Sequence, residues 1–93
     1  KAKEYTDKIV KIKASALACD TLSLHGRRRF DSLPAAVHAG KKAYEMAGIK
    51  PEDIDLAEVH DCFTIAEIIA IEDLGFVKRF MFTYIGKTQF MPM

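Results

Sequence analysis

The chain has 93 residues, 49% apolar and 29% charged, with 14 basic side chains against 13 acidic ones. Independent domains run to about 100–200 residues, so this is one globular domain at most, and its composition excludes a disordered chain. The charge balance gives no electrostatic case for nucleic acid beyond one cluster, Arg27, Arg28 and Arg29, and no run approaches the roughly 18 apolar residues of a membrane span.

A chain this short buries roughly two-thirds or less of its unfolded surface, so a monomer would be marginally stable. The N-terminal stretch KAKEYTDK has neither an apolar signal core nor an initiator methionine, which suggests a piece of something longer. Cys19 and Cys62 read as reduced thiols of a cytoplasmic protein rather than a disulfide scaffold.

Residues 8–18, KIVKIKASALA, begin with alternation: Ile9, Lys11 and Lys13 to one side, Val10 and Ile12 to the other. That pattern predicts a strand. Residues 19–32 have no sustained period and include Gly26 among polar residues, so they read as a loop, and long loops in compact domains are often functional.

Residues 33–47 predict a helix, with Ser32 or Leu33 in the cap region and Pro34 in the first turn, where its missing N–H does no harm. Ala36, Val37, Gly40, Ala43, Tyr44 and Ala47 form one face, while Lys41, Lys42 and Glu45 point away. Gly48 is the expected left-handed residue after the helix, with Ile49 folding back onto its end. Residues 55–60 predict a second strand, Leu56 on one side and Ala57 and Val59 on the other.

A second helix is expected over 64–74. Thr64 and Glu67 have the spacing of a capping box, and the helix stops at Gly75. Ile65, Ala66, Ile68, Ile69, Ala70, Ile71 and Leu74 cover nearly its whole circumference, as in a helix buried between layers or at an interface. The tail, 76–93, is rich in aromatics and methionine, with room for one further strand around Phe82 to Ile85.

This order, β-α-β-α(-β), is that of an α/β fold with parallel strands joined by a right-handed crossover. Sites in such sheets gather at the carboxyl ends of strands, which is where His60, Asp61 and Cys62 fall. Cys19, His25, His38, His60 and Cys62 are scattered without metal-ligand spacing, so no metal site is expected. A Cys–His pair at 60 and 62 is chemically reasonable beside a helix N-terminus, which acidifies a thiol. Against it, free cysteine is commonly structural, and residues two apart on an extended chain rarely hydrogen-bond to each other.

For His60, two readings stand level: a working imidazole, or one that closes the junction by bonding to backbone. His25 reads as solvated and His38 as packed. The three arginines invite a phosphate, although a solvated loop is the simpler account. The acidic pairs Glu52/Asp53 and Glu72/Asp73 fit helix-flanking solvent faces.

The runs VKIKASALACDTLSLHGRR, LPAAVHAGKKAYEMAGIKPEDIDLAEVHDCFTIAEIIAIEDLGF and TYIG resemble the C-terminal half of thiolases, nearest the sterol-carrier-protein-x type and the archaeal enzymes of acetoacetyl-CoA synthesis. The likeness runs from about Lys1 to Phe76 and resumes at Thr83 to Gly86. It implies a partial thiolase-like C-terminal domain over residues 1–93, a helix at 64–74 sandwiched between sheets, and dimers or tetramers. It also implies acyl transfer between coenzyme A thioesters, which enter as substrates with no separate cofactor. The resemblance implies that His60 takes the place of an asparagine that helps form an oxyanion hole, donating to developing negative charge. Asp61, Cys62 and Phe63 would shape the turn and the pocket wall, and Cys62 is not the family's nucleophile.

Departures accompany the match. The nucleophilic cysteine of the family belongs to its N-terminal half. The Gly-His-Pro-x-Gly segment expected after Gly86 is replaced by KTQFMPM, and the late Cys-x-Gly box is absent. VKRFMF stands where a Gly- and Glu-rich insertion is usual, Cys19 where serine is expected and Gly26 where aspartate is expected. The expectation is a thiolase-like acyltransferase fragment, inactive alone; the alternative is a non-catalytic interaction module. Either way, a second copy or another protein should cover the apolar helix and tail.

Overall fold

Proline and glycine set the ends of the first helix, α1, Pro34–Ala47. Leu33 stands before it in extended conformation, and Pro34 occupies the first helical position, where no N–H is needed. At the other end Gly48 turns left-handed, φ 68°. Its N–H reaches the Glu45 carbonyl at 3.3 Å, and the Ile49 N–H reaches the Tyr44 carbonyl at 3.1 Å. These bonds satisfy carbonyls that the helix leaves without partners.

The second helix, α2, spans Thr64–Asp73 and stops by the same device. Gly75 has φ 82°, and the Phe76 N–H closes onto the Ile71 carbonyl at 3.1 Å. Its start differs from expectation. Phe63 holds the cap position and makes no side-chain cap bond, while Thr64 lies inside the helix. The Thr64–Glu67 capping box therefore does not form; instead the Phe63 carbonyl accepts the Ala66 N–H at 2.9 Å.

The computed structural model describes residues 1–79. Besides the helices it has three short 3-10 turns, Ala2–Glu4, Leu24–Gly26 and Pro51–Asp53. The expected strand around Phe82 to Ile85, and the tail after Arg79, lie outside the described residues.

The expected α/β sheet is not found. Among the described residues there is no β-strand, and segments 8–18 and 55–60 run as irregular backbone. Sequence alternation decides which way side chains face, but a strand exists only through a ladder of backbone bonds with a neighbour. Among the described residues no such bond joins these two segments. Their period of two persists as exposure: Ala14, Ala16 and Ala18 are half-buried between exposed neighbours, as are Ala57, Val59 and Asp61.

The two helices pack through the small-residue face of α1. A Cβ on Gly40 would come within 2.9 Å of Leu74 Cδ2, so the absence of a side chain there permits the approach. Tyr44 donates its phenolic hydrogen to the Leu74 carbonyl at 2.8 Å, satisfying a group at the end of α2. Burial raises the Tyr44 pKa, and the Glu52 charge adds to the effect.

The second correction concerns α2, expected to be enclosed. Ile71 is the one fully buried apolar residue among those described, and Ile65 at the start of the helix is 59% exposed. Among the described residues a single neighbouring helix covers one side of α2, and no sheet covers the other. The radius of gyration, 15.6 Å, exceeds the roughly 12 Å of a compact chain of this length, as expected when so little core forms.

Candidate functional site

The HDCF residues sit where extended backbone enters α2. Alternation carries through the junction: His60 and Cys62 are exposed, and Asp61 between them is half-buried. Phe63, at the helix cap, is 74% exposed. An imidazole and a thiol are thus both exposed to solvent just before a helix N-terminus. None of the three polar side chains makes a hydrogen bond among the described residues. His60 is therefore not bonded to backbone, contrary to the reading of it as a closing residue. Nor is it bonded to Cys62, so the two are not assembled as a nucleophile and its base. Chemically the junction offers one free imidazole, able to donate to an oxyanion once other elements supply the acceptor and a second donor.

The remaining candidates separate. Cys19 is an exposed free thiol, and His25 and His38 are exposed, the latter rather than packed. No three His, Cys, Asp or Glu side chains come together as metal ligands among the described residues. Asp53 belongs to a turn, accepting the Lys50 N–H at 2.8 Å.

Asp73 corrects the expectation of a solvent-facing acidic pair. Its side chain is fully buried and holds three elements together. One carboxylate oxygen accepts the Leu33 N–H at 2.6 Å; the other accepts the Ser32 hydroxyl at 2.9 Å and Arg79 Nη2 at 2.9 Å. A carboxylate on the last residue of α2 opposes that helix's own dipole, but it faces the N-terminus of α1, where negative charge is favoured. Arg79 also donates to the Asp31 carbonyl. Two of the partners of Asp73, Ser32 and Leu33, lie some 40 residues away in sequence, beyond any local pattern.

The arginine loop is only partly solvated. Arg29 grips the Asp31 carboxylate with two bonds, at 2.9 and 2.7 Å. That grip, chiefly through the hydrogen bond, lowers the Asp31 pKa to about 2 and raises that of Arg29. Arg27 is half-buried, and its Nε is enclosed without a partner among the described residues. The loop surrounds a cavity of about 220 Å³. A groove of about 460 Å³ lies between the ends of the helices, lined by Val37, Tyr44, Ile49 and Leu74. A third cavity, about 310 Å³, lies by Pro51 and Phe76. The HDCF side chains line none of these three.

Comparison with known proteins identifies the family. Residues 16–80 match the family described as Thiolase C-terminal domain-like, about 70% of the chain. The chain belongs to this family. Two relatives carry the name acetyl-CoA acetyltransferase: one of Methanothermobacter thermautotrophicus, 54% identical over 78 residues, and one of Methanocaldococcus jannaschii, 54% identical over 81. These alignments cover 84% and 85% of this chain but 20% and 21% of those proteins. Human sterol carrier protein 2 is 49% identical over 37 residues, 40% of this chain and 7% of that protein. This thiolase-family chain therefore spans about a fifth of the length of the archaeal relatives it matches. No helix among its described residues is long and apolar enough to cross a membrane.

Proposed function

We propose that this chain contributes the oxyanion-hole side of a thiolase-like acyl-CoA C-acyltransferase, acting on coenzyme A thioesters by condensation or thiolysis. The observation carrying this reading is His60, an imidazole with no partner among the described residues at the entrance to α2, within a chain 54% identical over 78 and 81 residues to archaeal acetyl-CoA acetyltransferases. In this role His60 donates to the carbonyl oxygen as it acquires negative charge. Asp61, Cys62 and Phe63 shape the adjacent wall, and Cys62 carries no acyl group.

Taken alone, these residues do not turn over. The nucleophilic cysteine, the activating histidine of the Gly-His-Pro-x-Gly segment and the second acid–base cysteine come from elsewhere in the family's architecture, and catalytic groups acting as a unit lose nearly all effect when separated. The setting is a cytoplasmic one, in acyl-thioester and lipid metabolism. Incubation with acetyl-CoA followed by intact-mass measurement tests the assignment. No acetyl adduct is expected on either cysteine beyond that of a denatured control; a stoichiometric adduct on Cys62 would overturn it.

A second reading, a non-catalytic interaction module, draws on the surface. Leu22 is 99% exposed and Val10 and Ile12 are each 90% exposed, apolar side chains that a partner would cover. Both readings lead to a homo-oligomer or a protein partner. Light scattering across a concentration series tests this, and a monomer throughout would count against it.

A further inference from the structure

We propose that the arginine loop is a binding site for a phosphate group, independent of whether the HDCF junction takes part in acyl transfer. The cavity of about 220 Å³ is lined by Asp20, Thr21, Gly26, Arg27, Arg28 and Arg29. Its three guanidinium groups are not equivalent. Arg29 is committed to Asp31 through two bonds. Arg28 is exposed at the rim. Arg27 is drawn in, with its Nε enclosed and unpartnered among the described residues.

A guanidinium has donors only, and Arg27, whose enclosed Nε finds no acceptor among the described residues, gains one by turning toward a ligand in the cavity it lines. Phosphate meets that demand with oxygens spaced for a forked, charge-assisted pair, and Arg28 adds a second cation. The carboxylate lining the cavity, Asp20, already accepts the Thr21 N–H at 2.7 Å. The lining thus carries three cations and one carboxylate, and Asp31, which lies outside it and is shared by Arg29 and Arg79, still leaves the cavity with a positive surplus. The net charge of the whole chain is only +1, so no wider field favours a long polyanion. The local geometry selects a single phosphate group.

The test is titration of the isotope-labelled chain with inorganic phosphate and, separately, with adenosine monophosphate, followed by amide NMR. Saturable shifts confined to residues 20–34 are expected. Gly26→Asp adds a carboxylate to the lining, where a Cβ meets nothing nearer than Ser23 Oγ at 3.4 Å. It should weaken binding by about tenfold or more, as should Arg27→Gln, and circular dichroism melts show that each variant remains folded. Tighter binding of the nucleotide would identify a nucleotide phosphate as the ligand, and equal binding a free anion; both support the site. Shifts that do not saturate, that scatter over the lysines, or that persist in both variants would overturn it.

Discussion

Replacing Asp73 by alanine should loosen the junction of α1, α2 and the segment before α1. In the folded chain the carboxylate is fully buried and accepts from Ser32, Leu33 and Arg79. Its removal strands the Leu33 N–H and the Ser32 hydroxyl, Ser32 itself being only 6% exposed. Each buried polar group left without a partner costs about 1–3 kcal/mol. Arg79 is 30% exposed and can turn to water, so its loss adds little. Two terms act in the other direction: relief of a negative charge at the C-terminus of α2, about 0.3–1 kcal/mol, and escape from carboxylate desolvation. The net is a destabilisation of about 2–3 kcal/mol. At roughly 4–8 °C per kcal/mol for a chain of this size, the melting temperature should fall by on the order of 10–20 °C. Circular dichroism melts of Asp73→Ala and Asp73→Asn measure it, the amide recovering part of the loss because it retains one acceptor. A melting temperature for Asp73→Ala within about 2 °C of the parent would refute the clamp.

Tyr44→Phe removes the bond to the Leu74 carbonyl and should cost about 1 kcal/mol in urea unfolding. Because the Tyr44 pKa is raised, that stabilisation is present below the ordinary phenol range and lost as pH rises through the folded value; the parent, not Tyr44→Phe, should show this alkaline loss. Gly40→Leu drives a side chain into Leu74 and should cost about 1–3 kcal/mol, seen as a lower urea midpoint. Asp31 should titrate near 2 by carboxyl NMR, and return toward its ordinary value of 3.8 in Arg29→Gln. Its folded pKa is depressed, so whatever it adds to stability is present above 3.8 and disappears as pH falls through about 2.

The helices were legible because their signals are local. Pro34 and Gly48 act through their own backbone preferences, and the small-residue stripe of α1 follows from helical spacing alone. The period of two at Ala57, Val59 and Asp61 was likewise legible, as was the position of His60 at the end of that segment. What failed was pairing. Alternation says which face a residue takes and nothing about whether a neighbouring strand is there to bond. The same limit hid Asp73: it looked like half of an exposed acidic pair, and its role depends on Ser32 and Leu33 arriving from a distant part of the chain. Thr64 misled in a different way, since the helix begins one residue early, at a phenylalanine cap. The HDCF junction was first singled out as the end of an expected strand, and the oxyanion-hole role proposed for His60 came from the long collinear match to thiolases, a signal that spacing within four residues could not supply.

The most direct test is thiolysis of acetoacetyl-CoA by the purified chain, with His60→Ala and Cys62→Ala run in parallel. If the chain supplies only the oxyanion-hole side of a thiolase site, all three proteins give background rates. Turnover by the parent that disappears in Cys62→Ala would make Cys62 a nucleophile and contradict the account.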